Sequence, residues 1–313
     1  MNVRPITATK GFALTVCLCV SCVFASPLPQ TKKRSQSDAD INAIGHRHID
    51  RDENSYSLDK EKRLGVVLSE AFERSSRLLN DPAVTEYIDK VAQNVAKNSD
   101  ARLPIVVQVI DSDVSNAFTL PGGYQYVNRG LLLRLEGEAE LASVLARGVA
   151  HTSLRSATNA ATRGEATQLA MIPLMLSMPW PGDSSANATP FAIPSSLLKL
   201  RQDDELDADY FGVQYLYKAG YDPNCFTSFV QRIWASGTSS TRKSPKVLSF
   251  YPPVDIRLAA LQNEISEILP SRDGANVSTS EFDAFLERLR ARKSEGEKRP
   301  TMRTSSHTIP NLH

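Results

Sequence analysis

Glu138–Leu154 reads EAELASVLARGVAHTSL, and Asp204–Asp209 reads DELDAD. The first stretch carries Ala139, Leu141, Ala142, Leu145, Val149 and Ala150. So many apolar positions exceed a one-sided stripe, so a helix from Glu138 to about Ala157 is expected to run through the core. The second stretch opens a helix from about Asp204 to Ala219, stopped by Gly220. Glu205 and Asp209 are four residues apart and share one face of it.

Two such helices, one buried and one carrying inward carboxylates, are a scaffold on which hydrolases build zinc sites. Such a site needs three protein ligands and an open position for water. The common helical solution places two histidines four residues apart, with a glutamate after the first as base. Here Glu205 is in place to ligate, and Asp209 to orient a ligand histidine through a hydrogen bond. The buried helix, however, holds one histidine, His151. Four residues earlier stands Arg147, whose guanidinium stays protonated and has no lone pair to give. Gly148 follows it and has no side chain to hold or deprotonate water. His151 and Glu205 alone are too few for tight zinc binding, so no cofactor is expected. Zinc enters only if an atypical ligand set converges on this pair. Taken by itself, His151 also reads as a satisfied core histidine. A further expectation is that Arg147 lies opposite Glu205 and supplies the positive charge a metal would bring. That requires two or more good hydrogen bonds to offset burial of the charges.

Outward from these helices the chain alternates short elements. Leu64, Val67, Leu68, Ala71 and Phe72 mark a helical face after Ser57. Asp81-Pro82 opens another helix, with Val84, Tyr87, Ile88, Val91 and Val95 turned inward. IVVQVIDS, Ile105–Ser112, is a β-branched strand, and NAFTLPGGYQYVN, Asn116–Asn128, is two strands around a PGG turn. Pro223–Trp234, Val254–Ile268 and Ser278–Arg292 are expected helices, the last capped by Ser280. Thr158–Gly182, containing MIPLMLSMPWPG, is read as a partly helical, apolar loop serving as a lid or partner surface, with Trp180 as a packing anchor. His46 and His48 are two apart; the pair is read as solvated, with metal binding from a strand as the other reading. The fold class is therefore α+β, mostly helical, with a small sheet beside the central helix.

The 313 residues carry 36 basic and 35 acidic side chains, a net charge of +1, so nothing points to a nucleic-acid partner. Arg4 and Lys10 precede the apolar run Gly11–Ala25, which has the parts of a secretory signal cleaved after Ala25. Lipid attachment at Cys22 and an uncleaved, membrane-anchoring start are the alternatives. Three of the four cysteines, Cys17, Cys19 and Cys22, lie in that leader, so Cys225 has no intrachain partner. The organisation expected is a signal peptide over 1–25, a linker and docking segment over 26–55, a main domain over 56–292, and a disordered charged tail over 293–313.

DADINAIG at Asp38–Gly45, NAFTLPGGYQYVNRGLLL at Asn116–Leu133, EAELASVLA at Glu138–Ala146 and DELDADYFGVQYLYKAGYDP at Asp204–Pro223 resemble the BepA-like branch of the HtpX-related zinc metallopeptidases. So does STSEFDAFLERL at Ser278–Leu289, and the resemblance spans roughly residues 38–292. It implies a gluzincin-type domain of peptidase family M-48. In that family the central helix carries H-E-x-x-H and the next ligand opens E-x-x-x-D. His151 then matches the second ligand, Glu205 the third and Asp209 the supporting aspartate. The first ligand falls on Arg147 and the catalytic base on Gly148. A histidine that precedes a proline and restrains activity in some members falls on Tyr251 of SFYPP. Three family positions have departed together, which implies a pseudopeptidase. Asn116, Ala117 and Phe118 resemble the edge strand on which substrate peptide lies, and such an edge holds extended chain without a metal. The resemblance implies an exported protein of the periplasm or cell envelope. Its partners would be extended or unfolded polypeptide, or envelope assembly proteins, with peripheral membrane association possible. The alternative is a zinc metalloendopeptidase with an atypical ligand set.

Overall fold

In the computed structural model, the described residues are 35–49, 54–163, 195–238 and 252–298. All belong to one compact unit, Lys32–His313. The expected signal segment with Cys22, the expected apolar loop with Trp180 from residue 164 onward, and Tyr251 lie outside the described residues.

The chain begins with a short helix α1 (Gln36–Ala39), then α2 (Leu58–Glu73) and α3 (Pro82–Lys97). Three strands follow, β1 (Val106–Ile110), β2 (Ala117–Leu120) and β3 (Tyr124–Asn128). The rest is helical: α4 (Arg129–Leu132), α5 (Glu138–Ser153), α6 (Ser156–Thr162), α7 (Ser195–Lys218), α8 (Asn224–Thr238), α9 (Val254–Glu267) and α10 (Ser280–Lys298). This is the α+β arrangement read from the sequence.

The sheet order is β1-β3-β2, with β1 parallel to β3 and β2 antiparallel to it. Its two faces pack against different partners, because successive side chains alternate. Val107, Val109, Ala117 and Val127 join the main core with α3, α5 and α7. Leu120 and Tyr126 form a second, smaller cluster with Phe72, Leu68 and Phe118. The turn between β2 and β3 uses Gly122 and Gly123 at φ 81° and 90°, a region that side chains with a Cβ rarely enter.

Helix α2 packs only in part as its apolar spacing suggests: Leu68 and Phe72 join the smaller cluster, but Val67 does not face the core. Val67 is 62% exposed, while Glu61, Gly65 and Ser69 are buried. A Cβ at Gly65 would lie 2.3 Å from the Pro121 carbonyl oxygen. This backbone approach turns the 61/65/69 stripe inward and leaves Val67 outside. Glu61 then receives Arg155 Nε at 2.6 Å and Thr158 Oγ1 at 2.9 Å. Arg155 adopts a left-handed conformation, φ 53°, and ends α5 at Ser153, earlier than Ala157. Its guanidinium also donates to the Tyr56 carbonyl. The sequence offers no glycine or proline at this break; a long-range ion pair makes it.

Other boundaries move for local reasons. α7 starts at Ser195 rather than Asp204, and its end matches expectation: Gly220 has φ 95°, and Tyr221 N–H reaches the Leu216 carbonyl at 3.2 Å. Thr279, not Ser280, caps α10 through its hydroxyl, which accepts from Phe282 N–H at 3.2 Å. α10 continues to Lys298, past residue 293 where the tail was expected, because the added lysines and glutamates are good helix formers. Residues 35–49 are tied to the rest of the domain through Arg47. Arg47 sends Nη2 to Asp100 at 2.6 Å and Nη1 to the Asp38 carbonyl and Gln214 at 2.6 Å each. Tyr215 donates to the same Asp100 carboxylate at 2.8 Å. Burial, with Asp100 beside it, raises that phenol above its ordinary value, so it remains a donor. His46 and His48 stay exposed on either side of the inward Arg47.

Asp81 ties the start of α3 to α10. Its carboxylate accepts from Val84 N–H and from Arg288 and Arg292 Nε at 2.8 Å. Burial alone would raise this carboxyl; the two guanidiniums and the N–H outweigh it and hold it below its ordinary value. A depressed folded pKa means the stabilisation is present in full above the unfolded value, about 4, and is lost as pH falls through the folded value. Asp81→Asn keeps the cap and loses the charge. It is expected to cost about 1 kcal/mol at pH 7, with the difference from the parent closing below pH 4. Urea unfolding at pH 7 and pH 3 checks this, and an equal difference at both would contradict it.

Candidate functional site

Every residue of α5 except His151 is buried. Polar side chains survive there by bonding to the helix itself: Ser143 to the Ala139 carbonyl at 2.6 Å, Thr152 to Gly148 at 3.1 Å and Ser153 to Val149 at 2.9 Å. α7 crosses α5 closely. A Cβ at Gly212 would stand 3.2 Å from Arg147 Cα. That approach carries Asp209 and Glu205, about one and two turns earlier on α7, to the Arg147 side chain.

The guanidinium of Arg147 meets both carboxylates. Its Nη2 pairs with Glu205 Oε2, and its Nε donates to Asp209 Oδ1 at 3.2 Å. A second arginine completes the group. Arg257 on α9 donates Nε to Asp209 Oδ2 at 2.6 Å and Nη2 to Oδ1 at 2.8 Å. The side chains of Arg147, Glu205, Asp209 and Arg257 are 8%, 5%, 2% and 1% exposed. Two guanidiniums thus face two carboxylates, and the charges balance inside the protein. His151 is the open edge of the cluster at 15% exposed. Its Nε2 is 3.6 Å from Glu205 Oε2, and its Nδ1 is 3.3 Å from Ser156 Oγ.

The expected residues are therefore partly assembled. His151, Glu205, Arg147 and Asp209 come together, and Asp209 serves two arginines instead of orienting a ligand histidine. Gly148 lies on the same helix, facing Gln125 of β3. Asn116, Ala117 and Phe118 do not converge on one point. Ala117 faces the main core, whereas Phe118 stacks on Tyr126 at 5.2 Å between ring centroids and meets Phe72 edge-on at 5.3 Å. Asn116 gives its carbonyl to Asn128 N–H at 2.9 Å. What these three share is their place at the β2 edge of the sheet. Cys225 is half-buried, and burial pushes its thiol up to about 11, far from a reactive thiolate.

Arg257 and Gln125 escaped sequence reading. Arg257 did leave a trace: Val254, Arg257, Leu261 and Glu264 recur at helical spacing, so an arginine and a glutamate sit on a core-facing stripe. That glutamate accepts from Gln214 Nε2 at 2.7 Å.

The described residues around His151 and Glu205 do not by themselves fit zinc. His151 and Glu205 approach one another as two ligands would, but Glu205 Oε2, the oxygen turned to His151, is the atom Arg147 occupies. A cation there would share the space with a guanidinium. Arg147 offers no lone pair, and Gly148 offers no base. Among the described residues no three histidine, cysteine, aspartate or glutamate side chains are grouped to hold a metal ion.

The sequence model of Peptidase family M48 matches residues 82–265, which contain α3 through most of α9 and the whole cluster. This chain belongs to that family. It is 29% identical over 255 residues to the putative beta-barrel assembly-enhancing protease of Vibrio cholerae serotype O1, covering 79% of this chain and 51% of that protein. It is 27% identical over 222 residues to the beta-barrel assembly-enhancing protease of Yersinia pestis, covering 68% and 46%. The mitochondrial metalloendopeptidase OMA1 of Schizosaccharomyces pombe is 28% identical over 229 residues, covering 70% and 65%. The chain spans about half the length of the bacterial relatives it matches. Among the described residues of this M48 member, no helix is long and apolar enough to cross a membrane.

Proposed function

We propose that this chain is a non-catalytic M48 member, a pseudopeptidase of the cell envelope that binds extended polypeptide or an assembly partner. The observation that carries the reading is the Arg147 guanidinium seated on Glu205 and Asp209. It neutralises the carboxylates that would otherwise draw a metal, and it takes the ligand oxygen. The lack of any side chain at Gly148 supports the same conclusion, since a positioned general base contributes about two to four orders of magnitude in rate. No cofactor belongs to this reading.

The β2 edge, with Asn116, Ala117 and Phe118, is the proposed docking strand. Backbone pairing along an edge does not need a metal. The names of the bacterial relatives support work on envelope proteins during barrel assembly, and the leader over 1–25 supports export to the periplasm, with Cys22 as a candidate lipid attachment point. Tyr251 is assigned to the position of the restraining histidine, which loses its purpose where no zinc is held.

Elemental analysis of the purified, dialysed protein tests the reading. Zinc near zero per polypeptide is expected. One tightly held zinc would overturn it and restore the metalloendopeptidase alternative.

A further inference from the structure

Gln125 lies on the face of β3 that looks toward α5, in register with Val107 on one side and Thr119 on the other. It is 3% exposed, and its Nε2 has no hydrogen-bond partner among the described residues. A polar group in that position carries a desolvation cost. Its location shows what it displaces. A Cβ built at Gly148 would lie 2.6 Å from Gln125 Cδ, 2.6 Å from Oε1 and 2.9 Å from Nε2. All three contacts are shorter than carbon tolerates; they fall on the carboxamide that ends the Gln125 side chain, which is buried, so adding the Cβ requires that carboxamide to move within packed surroundings. Gly148 is the position where the family's base would begin.

We propose that Gln125 fills the volume of the missing base, so that Gly148 and Gln125 form a second closure of the site, separate from Arg147 on Glu205. This rests on the non-catalytic reading and deepens it. Arg147 blocks the ligand position by charge; Gln125 blocks the base position by volume. The two closures involve different elements, α7 for the first and β3 for the second. It follows that Arg147→His combined with Gly148→Glu does not rebuild a catalytic centre while Gln125 remains. A glutamate at 148 can place its Cβ only if the Gln125 carboxamide moves away or residue 125 is made smaller.

A double-mutant cycle read by thermal unfolding tests the closure. Gly148→Ala in the parent is expected to lower the melting temperature by about 5 °C, as overpacking. In the Gln125→Ala background the same change is expected to be neutral or to raise it, since alanine is the better helix former. Gly212→Ala serves as the control. It crowds the Arg147 backbone instead of Gln125, so its effect should be the same in both backgrounds. Additive effects of Gly148→Ala and Gln125→Ala would overturn the proposal, as would an equal rescue of Gly212→Ala. If Gly148→Ala alone yields no folded protein, recovery of folded protein by Gln125→Ala counts for the proposal and failure to recover it counts against. The zinc measurement reads Glu205 and the cycle reads the 125–148 contact. Zinc uptake with a coupled cycle therefore sinks the non-catalytic reading, while a zinc-free chain with an additive cycle sinks only this inference.

Discussion

Arg147→Met is expected to cost about 3–5 kcal/mol of stability, the range for removing one partner of a buried ion pair. The methionine keeps the unbranched apolar stem of the arginine and ends short of the guanidinium, so the stem's packing is retained. What changes is charge. Glu205 loses the guanidinium on Oε2, and Asp209 keeps only Arg257. Both carboxylates remain buried, where solvent cannot replace the lost cation. Urea unfolding at pH 7 reads the loss. The informative companion is Arg147→Met with Glu205→Met. Removing both charges should recover most of the stability, because an apolar pair of similar volume often matches a buried ion pair. A loss below about 1 kcal/mol for the single change would mean that the pair acts like a surface contact and that Arg147 does not stand in for a metal.

Arg257→Leu is expected to have a comparable effect, about 3–5 kcal/mol. Arg257 is the largest fully buried side chain of the described residues. Two of its bonds go to one carboxylate, at 2.6 and 2.8 Å, in the planar fork that suits arginine. Arg257→Lys should therefore rescue little, since an ammonium cannot span both oxygens with the same geometry. Thermal unfolding of the two variants checks this, and full rescue by lysine would show that only net charge matters. Arg147 and Arg257 share Asp209, so their effects should not add.

Much of this architecture was legible beforehand. The apolar density of Glu138–Leu154 marks a buried helix, and α5 is buried except at His151. Asp81-Pro82, PGG and Gly220 mark boundaries that depend on a few neighbouring residues, and each falls where expected. The four-residue step from Glu205 to Asp209, and from Arg147 to His151, places each pair on one face of its helix. That Arg147 has no lone pair to give and that Gly148 has no side chain could be read directly, because those are properties of single residues.

The remainder depended on residues far apart in the chain. Arg257 reaches Asp209 across 48 positions, and Gln125 reaches Gly148 only because β3 and α5 pack face to face. Arg155 breaks α5 by reaching Glu61, 94 positions away, with no local signal of its own. α2 turned its glycine inward and Val67 outward because a backbone contact at Pro121 outranked an apolar stripe. Periodicity, caps and turns act over a few residues and are written in local sequence. The pairing of buried charges and the filling of small volumes are not, since they arise only when helices and strands close around them.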